Sequence, residues 1–468
     1  MSRRGSVARR SKQRGFIINP YRFGGSTHPN PATFSNVVLI AHGQTTPYVD
    51  SSSFEYGLEN RTVTWTVGSV PSGAGGYFDT GAGNNHNNAI RVAAPATVMQ
   101  LGTVWSVEAW VYHTLSGANA CRILDSRASP AGAGWVLHTV AGTGYFAFTY
   151  GGVTYGNVAA TVVADQTWTH VMVTYDGTDL RFFVGGVLKL TTTVALDINT
   201  GSFLTIGNTG DFTGNGFANQ RLSDIRVVKG ECIATASFTP RSTVHPDNGH
   251  TAIAAAPAVT FSNVKLLLPM DSDTLDKSSS AKTVTLNGSA NYSATQSKFG
   301  GGSLTITGTS DYLSLADSAD WDTAADFSIE FWLRRNGSQA GRNSFAQYQG
   351  TSNGMSMAIV GASNTVNYNM SGDGYDLVGT RGIADLTWTH VAISRKDGVL
   401  ILFLDGVLDR FVADTTSTSS TAALNIGRLN GFSSTNFTSA YIDDFRWVKG
   451  ETPYKQSFIV PSAAHPTS

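Results

Sequence analysis

Apolar and polar side chains alternate along many short stretches of the chain, and a period of two is the pattern of β-strands. In the stretch 105–112, the apolar odd positions are Trp105, Val107, Ala109 and Val111. The stretches 169–175 and 180–184 also alternate, and they flank Asp176-Gly177, a dipeptide typical of hairpin turns. No stretch longer than about ten residues carries a helical pattern. The pattern therefore predicts an all-β protein of antiparallel β-sandwiches of the jelly-roll kind.

The same motifs occur twice and in the same order, which indicates an internal duplication. Residues 105–111 (WSVEAWV) match residues 327–333 (FSIEFWL), and residues 222–231 (LSDIRVVKGE) match residues 442–451 (IDDFRWVKGE). The repeat predicts four parts: an N-terminal arm (1–32), a first sandwich (33–246), a linker (247–259) and a second sandwich (260–468). We call the two sandwiches module 1 and module 2.

The composition is that of an extracellular or virion all-β protein, since only 14% of residues are charged, 10% are aromatic and 50 are glycine. The 32 basic and 33 acidic residues nearly balance, but the first 14 residues hold six basic residues and no acidic one. This favours a basic arm on a mildly acidic globular part and excludes a broad nucleic-acid-binding surface. No apolar run approaches the ~18 residues of a membrane helix, and no secretory signal pattern is expected at the N-terminus. Cys121 and Cys232 are too few for a disulfide scaffold, whether they pair or stay free.

As an ordered set, several motifs resemble the laminin-G-like members of the concanavalin A-like lectin/glucanase superfamily: VKLLLPMDSD, FSIEFWL, TWTHVAISRKDGVLILFLDGVL, LNIGR and IDDFRWVKGE. Module 2 matches along nearly all its length, and module 1 matches through its strand motifs. The resemblance implies two antiparallel sheets packed face to face in each module. It also implies a binding module for glycans or proteins, although some relatives are glycosidases, and it makes calcium the ion to consider.

The acidic residues do not fit glycoside hydrolysis, which needs two carboxylates roughly 5–9.5 Å apart. The glucanases of this superfamily place their acids in a Glu-x-Asp-x-Glu strand, whereas Glu108 and Glu330 are single acids on their strands. We therefore predict no catalytic residue, no metal centre and no cofactor. A weak calcium site stays open, and the candidate ligands are loop acids: Asp211, Asp271, Asp273, Asp373 and Asp376.

Four pairs of matched residues are given structural interpretations. They are hydrogen-bonded histidines (His170, His390), arginines in sheet-edge ion pairs (Arg226, Arg446), aspartates that cap their own turns (Asp50, Asp276) and glycines at bends (Gly207, Gly427).

Two sets of residues are candidates for binding. Aromatic side chains that could stack on sugar rings lie in the middle of each module: Trp135, Tyr145, Tyr155, Tyr348, Tyr368 and Tyr375. An anchoring arm would use basic and aromatic side chains: Arg3, Arg4, Arg9, Arg10, Lys12, Arg14, Phe16 and Tyr21. Residues 16–29 resemble the ends of both modules, with a Phe and a His-Pro pair, which predicts that they run along module 1 or reach a neighbouring subunit.

A basic leader followed by laminin-G-like repeats is similar to virion proteins of tailed bacteriophages, and three functions are considered. The first is a non-enzymatic virion structural protein that decorates a capsid or tail, forms a homo-oligomer, contacts other virion proteins and displays two sandwiches to polysaccharide. The second is a bacterial surface or secreted carbohydrate-binding protein. The third is a glycoside-cleaving enzyme, which the isolated acids disfavour. Nucleic acid would be contacted only through the arm, and no membrane contact is expected.

Overall fold

The computed structural model describes residues 28–29, 34–42, 50–52, 54–81, 88–114, 120–129, 132–209, 220–246, 254–308, 310–337, 343–345, 354–360, 363–370, 375–428 and 439–468. Regular structure in these ranges is almost entirely β-strand, which confirms the predicted fold class. The helices found there are single 3₁₀ turns: η1 (Phe34–Asn36), η2 (Ala159–Thr161), η3 (Phe261–Asn263) and η4 (Ala319–Trp321). Within the described ranges, none of the helices has the length and apolarity that crossing a membrane requires.

Module 1 is a sandwich of two antiparallel sheets. Its strands are β1 (Val37–Ala41), β2 (Gly57–Arg61), β3 (Thr64–Val67), β4 (Gly76–Asp79), β5 (Ala89–Ala93), β6 (Trp105–His113), β7 (Cys121–Asp125), β8 (Trp135–Thr139), β9 (Phe146–Tyr150), β10 (Val153–Gly156), β11 (Thr169–Tyr175), β12 (Asp179–Val184), β13 (Val187–Thr193), β14 (Thr205–Ile206) and β15 (Gln220–Lys229). The first sheet has the order β13-β12-β11-β6-β15-β4-β3, with β1 also paired to β15. The second sheet has the order β10-β9-β8-β7-β14-β5-β2.

Module 2 repeats this architecture. Its strands are β16 (Val264–Leu268), β17 (Val284–Asn287), β18 (Asn291–Ser293), β19 (Ser303–Ile306), β20 (Tyr312–Leu315), β21 (Phe327–Arg335), β22 (Asn343–Phe345), β23 (Ser356–Val360), β24 (Thr365–Asn369), β25 (Leu377–Gly382), β26 (Trp388–Lys396), β27 (Val399–Leu404), β28 (Val407–Ala413), β29 (Leu424–Ile426) and β30 (Ala440–Lys449). The first sheet has the order β18-β19-β30-β21-β26-β27-β28, with β16 paired to β30. The second sheet is described in two parts, β17-β20-β29 and β22-β23-β24-β25.

Alternation along the strands decides which side chains enter the space between the sheets. On β6, Trp105, Val107 and Ala109 belong to the hydrophobic core of module 1. Glu108 therefore points to the outer face of the first sheet, the face turned away from the core. It is nevertheless only 1% exposed, so something must cover that outer face.

The covering element is the segment that follows the last strand of each module. We call residues 231–246 and 451–466 the tails of module 1 and module 2. The hydroxyl of Thr174 on β11 donates to the carbonyl oxygen of Ala234 at 2.8 Å. In module 2, the matching hydroxyl of Ser394 donates to the carbonyl oxygen of Tyr454 at 2.6 Å. The two tails therefore follow the same path across their first sheets.

Two of the predicted structural roles concern turns, and both are confirmed. The carboxylates of Asp50 and Asp276 each accept backbone N–H groups and a serine hydroxyl from their own turn and the preceding strand. Gly207 and Gly427 have φ values of 86° and 96°, in the left-handed region that favours glycine.

The two modules contact each other through β2 of module 1 and β28 of module 2. The carboxylate of Glu59 is 1% exposed and lies 3.1 Å from the guanidinium groups of both Arg91 and Arg410. The Arg91 guanidinium also lies 4.4 Å from the ring centroid of Phe411. A buried carboxylate in module 1 is therefore neutralised in part by an arginine of module 2, which ties the modules together.

Candidate functional site

Each module carries one buried carboxylate on the outer face of its first sheet. In module 1, Glu108 on β6 lies opposite Arg226 on β15, and the Arg226 Nε donates to Glu108 Oε1 at 2.6 Å. The other oxygen, Oε2, is 2.8 Å from Nε2 of His170 and 2.8 Å from Nε2 of His28. Since an ionised carboxylate can only accept, both ring nitrogens must carry the hydrogen.

Module 2 repeats this cluster with one exchange. Arg446 Nε donates to Glu330 Oε1 at 2.7 Å, and His390 Nε2 lies 3.1 Å from Glu330 Oε2. The position of His28 is taken by Tyr454, whose hydroxyl donates to Glu330 Oε2. The tail histidine His465 lies 3.4 Å from the same oxygen.

The electrostatics of these clusters disfavour acid–base catalysis. Burial raises the pKa of Glu108 and Glu330, but the arginines and histidines around them outweigh burial and hold both pKa values well below the usual range. Burial also lowers the pKa of His170, so this imidazole is neutral. A general acid needs a raised pKa, and a nucleophile needs access to substrate. Glu108 and Glu330 meet neither condition, because both are ionised and both are at most 1% exposed.

These contacts confirm one prediction and correct another. His170 and His390 are hydrogen-bonded structural histidines, as expected. Arg226 and Arg446 do form ion pairs, but they do not lie at a sheet edge. Strands β15 and β30 lie inside their sheets, and the partners are the glutamates on the neighbouring strands rather than the nearby aspartates.

His28, Glu108 and His170 also form a group of three side chains that could hold a metal ion. Their nitrogen-to-oxygen distances of 2.8 Å are those of hydrogen bonds, and the guanidinium of Arg226 already neutralises the carboxylate. A bound cation would face that positive charge. The donor set therefore fits a hydrogen-bonded cluster better than a metal centre.

The calcium candidates that the structure describes do not form an acidic cluster. Asp211 and Asp373 lie outside them. Asp271, Asp273 and Asp376 belong to no group of three converging acidic or histidine side chains there. Asp273 instead forms an exposed ion pair with a lysine at 3.3 Å. Calcium takes six to eight oxygen ligands, and the described candidate acids supply no group of three carboxylates towards them.

The aromatic glycan candidates that the structure describes differ in their exposure. Trp135 and Tyr368 are 0% exposed and belong to the hydrophobic cores, which corrects the expectation that they lie on the surface. Tyr145, Tyr155 and Tyr375 are partly exposed. Tyr348 lies outside the described residues, as do the predicted anchoring residues Arg3, Arg4, Arg9, Arg10, Lys12, Arg14, Phe16 and Tyr21.

The outer face of the second sheet of module 1 carries a row of polar side chains that sequence reasoning missed. His138 Nε2 lies 3.0 Å from Thr149 Oγ1, which lies 2.9 Å from Thr154 Oγ1. Arg122 and Thr205 lie on the same face, since their neighbours Ile123, Leu204 and Ile206 are core residues. Within the described residues, Arg122 Nε, His138 Nδ1 and Thr205 Oγ1 are buried and have no hydrogen-bond partner.

The corresponding face of module 2 carries a set of polar, uncharged side chains among the described residues. Alternation turns Ser314, Ser356, Asn367, Asn369 and Asn425 outward, because their strand neighbours are core residues. All but Ser314 are less than 9% exposed. Amide and hydroxyl groups on a sheet face are suited to hydrogen bonding with sugar hydroxyls. We call these two surfaces the polar faces of module 1 and module 2.

Comparison with known proteins shows the family. A family model described as the concanavalin A-like lectin/glucanases superfamily (Laminin_G_3) matches residues 83–234 and 307–452, more than half of the chain. The chain belongs to this superfamily. The two matched regions fall one in each module, which confirms the tandem repeat of laminin-G-like sandwiches. A search of curated proteins finds no match.

The chain is also similar to solved structures of low sequence identity. Domain 4 of the extracellular GH43 arabinanase AbnA from Geobacillus stearothermophilus, in complex with arabinotriose, is 17% identical, with a TM-score of 0.35 over 42% of this chain and 96% of that one. Domains LG4-5 of the mouse laminin α1 chain are 14% identical, with a TM-score of 0.26 over 74% and 82%. The ligand-binding domain of botulinum neurotoxin serotype D, in complex with N-acetylneuraminic acid, is 9% identical, with a TM-score of 0.33 over 92% and 98%.

Proposed function

We propose that this protein is a non-catalytic lectin-like protein whose polar faces bind glycans. The observation that carries the proposal is the contrast between the two sheets of each module. The outer face of the first sheet is closed by a tail, and its carboxylate is consumed by internal hydrogen bonds. The second sheet of module 1 presents a row of hydrogen-bonding side chains on its outer face, and three of their polar atoms are buried without partners in the described residues, so a ligand or water would satisfy them.

The two polar faces favour different glycans. The module 1 face includes the guanidinium of Arg122, which is suited to an acidic sugar, because a guanidinium binds carboxylates through charge-assisted hydrogen bonds. Tyr145 shares the outward parity of Thr149 on this face and supplies a partly exposed ring for stacking. The module 2 face offers only amides and hydroxyls at the named positions and suits a neutral sugar.

A glycan array with the full chain tests this proposal. We expect Arg122→Ala to abolish binding of acidic glycans, whereas Lys189→Ala, which removes one positive charge from an exposed position on β13, leaves it unchanged. Asn367→Ala should abolish binding of neutral glycans, and Asn291→Ala, at an exposed position on β18, serves as its control. Wild-type protein that binds no glycan at millimolar concentration would refute the proposal. New reducing ends after incubation with polysaccharide would refute the absence of catalysis.

We further propose that the protein is a virion structural protein that decorates a phage capsid or tail and is held there as a homo-oligomer by its basic arm. The charge of the first 14 residues supports an electrostatic anchor, and buried His28 fixes the far end of the arm on module 1. Deletion of residues 1–27 should abolish incorporation into particles while leaving both modules folded. Unchanged incorporation would favour the alternative, a surface or secreted carbohydrate-binding protein of a bacterium.

A further inference from the structure

The carboxylate clusters of the two modules differ at matched positions of the tails. The tails run in register with an offset of 220, since Phe238 N–H donates to Gly186 O and Phe458 N–H donates to Gly406 O, both at 2.8 Å. By the same offset, Ala234 of module 1 stands where module 2 has a tyrosine. Module 1 therefore lacks the phenol that donates to the carboxylate in module 2.

His28 supplies the missing group from outside the tail. The hydroxyl of Tyr454 donates to Glu330 Oε2 and lies 3.4 Å from an Arg446 nitrogen. In module 1, His28 Nε2 donates to Glu108 Oε2, and the carbonyl oxygen of Pro29 accepts from Arg226 at 3.1 Å. The His28-Pro29 pair thus reproduces both polar contacts of one tyrosine.

The aromatic contacts are reproduced as well. The ring of Tyr454 stacks on Phe458 with centroids 4.1 Å apart. The ring of His28 packs edge-on against Phe238, the match of Phe458, at 5.0 Å. Histidine is smaller than tyrosine, and a second exchange compensates for this: Met172 on β11 stands where module 2 has an alanine, and both Met172 and Ala234 are core neighbours of Phe238.

We propose that module 1 contains a docking slot, opened by Ala234 and lined by Glu108, His170, Arg226 and Phe238, whose occupant is the His28-Pro29 segment of the same chain. Docking of this segment attaches the N-terminal arm to module 1 by a contact that is separate from the fold of module 2. The proposal does not depend on what the arm or the polar faces bind.

Three variants of the full chain test the slot by thermal unfolding. His28→Ala should lower the Tm of module 1 by about 5 °C, because it removes a buried hydrogen bond to a charged group. Met172→Ala with Ala234→Tyr converts the slot to the module 2 arrangement. Adding this pair to His28→Ala should restore most of the lost Tm. If the triple variant is no more stable than His28→Ala, the proposal is overturned.

Hydrogen exchange shows whether the segment leaves the slot. In the Met172→Ala, Ala234→Tyr variant with His28 intact, the added phenol competes with the histidine. The peptide that contains His28 should then exchange faster than in wild type, while β21 of module 2 keeps its protection. Unchanged exchange of the His28 peptide in a folded variant would overturn the proposal.

Chemical rescue keeps the proposal testable if the tyrosine cannot be accommodated. His28→Gly leaves an imidazole-sized gap beside Glu108. Tens of millimolar imidazole should raise its Tm towards the wild-type value and should not raise the Tm of wild-type protein. Tyr454→Phe is the control, because it removes a donor without leaving a gap. A Tm of His28→Gly that does not respond to imidazole, or an equal response in the control, would contradict the slot.

Discussion

The substitution Glu330→Gln tests whether the buried carboxylates stabilise the fold or take part in chemistry. Glutamine keeps the shape of the side chain but removes its charge. Arg446, His390 and Tyr454 all donate to this carboxylate. The substitution leaves the arginine without its counter-charge, and it turns an amide NH₂ towards groups that donate to the carboxylate in the native cluster. We therefore expect a large loss of stability confined to module 2.

The magnitude follows from the geometry. At 4 Å and an effective dielectric constant of about 20, two unit charges attract by about 4 kcal/mol. Removing one partner of a buried ion pair typically costs about 3–5 kcal/mol. Glu330 is 0% exposed and hydrogen-bonded to the arginine at 2.7 Å, so solvent screening is weak and the upper part of that range applies. Asp273→Asn removes an acid from an exposed pair and should cost less than about 1 kcal/mol.

Urea unfolding measures the loss, and tryptophan fluorescence follows both modules, because Trp105 and Trp135 lie in the core of module 1 and Trp321 and Trp447 lie in the core of module 2. A chain of two modules need not unfold in one step, so hydrogen exchange of β21 should confirm where the loss occurs. The double variant Glu330→Met, Arg446→Met should be more stable than Glu330→Gln, since it leaves no buried charge unpaired. A Glu330→Gln protein as stable as wild type would refute the structural role. Loss of a polysaccharide-cleaving activity without loss of stability would point to catalysis instead.

Three further predictions concern other parts of the fold. Burial raises the pKa of Asp443 from 3.8 to about 7, so its contribution to stability is present at low pH and is lost as the pH rises through about 7; Asp443→Asn should flatten the rise in urea midpoint between pH 8 and pH 5. Arg410→Ala removes the module 2 partner of Glu59 and should widen the distance distribution in small-angle scattering with both modules folded. An unchanged distribution would show that this ion pair does not hold the modules together. Gly427→Ala places a Cβ against Ile306 Cδ1 and forces a non-glycine residue to a φ of 96°, so it should lower the Tm by about 2–4 °C; an unchanged Tm would contradict the need for glycine.

The fold could be predicted from the sequence because its signals are local. Alternation placed Trp105 and Val107 on the core side of β6, and the Asp-Gly dipeptide marked the hairpin of β11 and β12. The internal repeat then predicted the same fold for module 2 without any further assumption. The carboxylate clusters could not be predicted, because Glu108 meets Arg226 only through the register of two strands that are more than a hundred residues apart.

The polar faces were missed although alternation contained their signal. On β8, Trp135 and Leu137 share one parity and His138 has the other. The same holds on β24, where Val366 and Tyr368 are core residues. Because glycan candidates were chosen for their aromatic rings alone, Trp135 on β8 and Tyr368 on β24 were selected, and both point into the core. Choosing the polar parity of the same strands would have found His138 and the asparagines of β24.

The two faces of each module therefore carry different constraints. A carboxylate under a tail must be matched by several donors, and each module meets that need by a different exchange of residues around the same Glu-Arg pair. Substitutions there act on stability, because these carboxylates are covered by the tails and already accept hydrogen bonds from inside the module. On the module 1 polar face, Arg122 Nε has no hydrogen-bond partner in the described residues. Replacing Arg122 removes no hydrogen bond from its Nε, so Arg122→Ala should weaken glycan binding while leaving the unfolding free energy nearly unchanged. A variant that loses both together would show that this face is part of the fold rather than a binding surface.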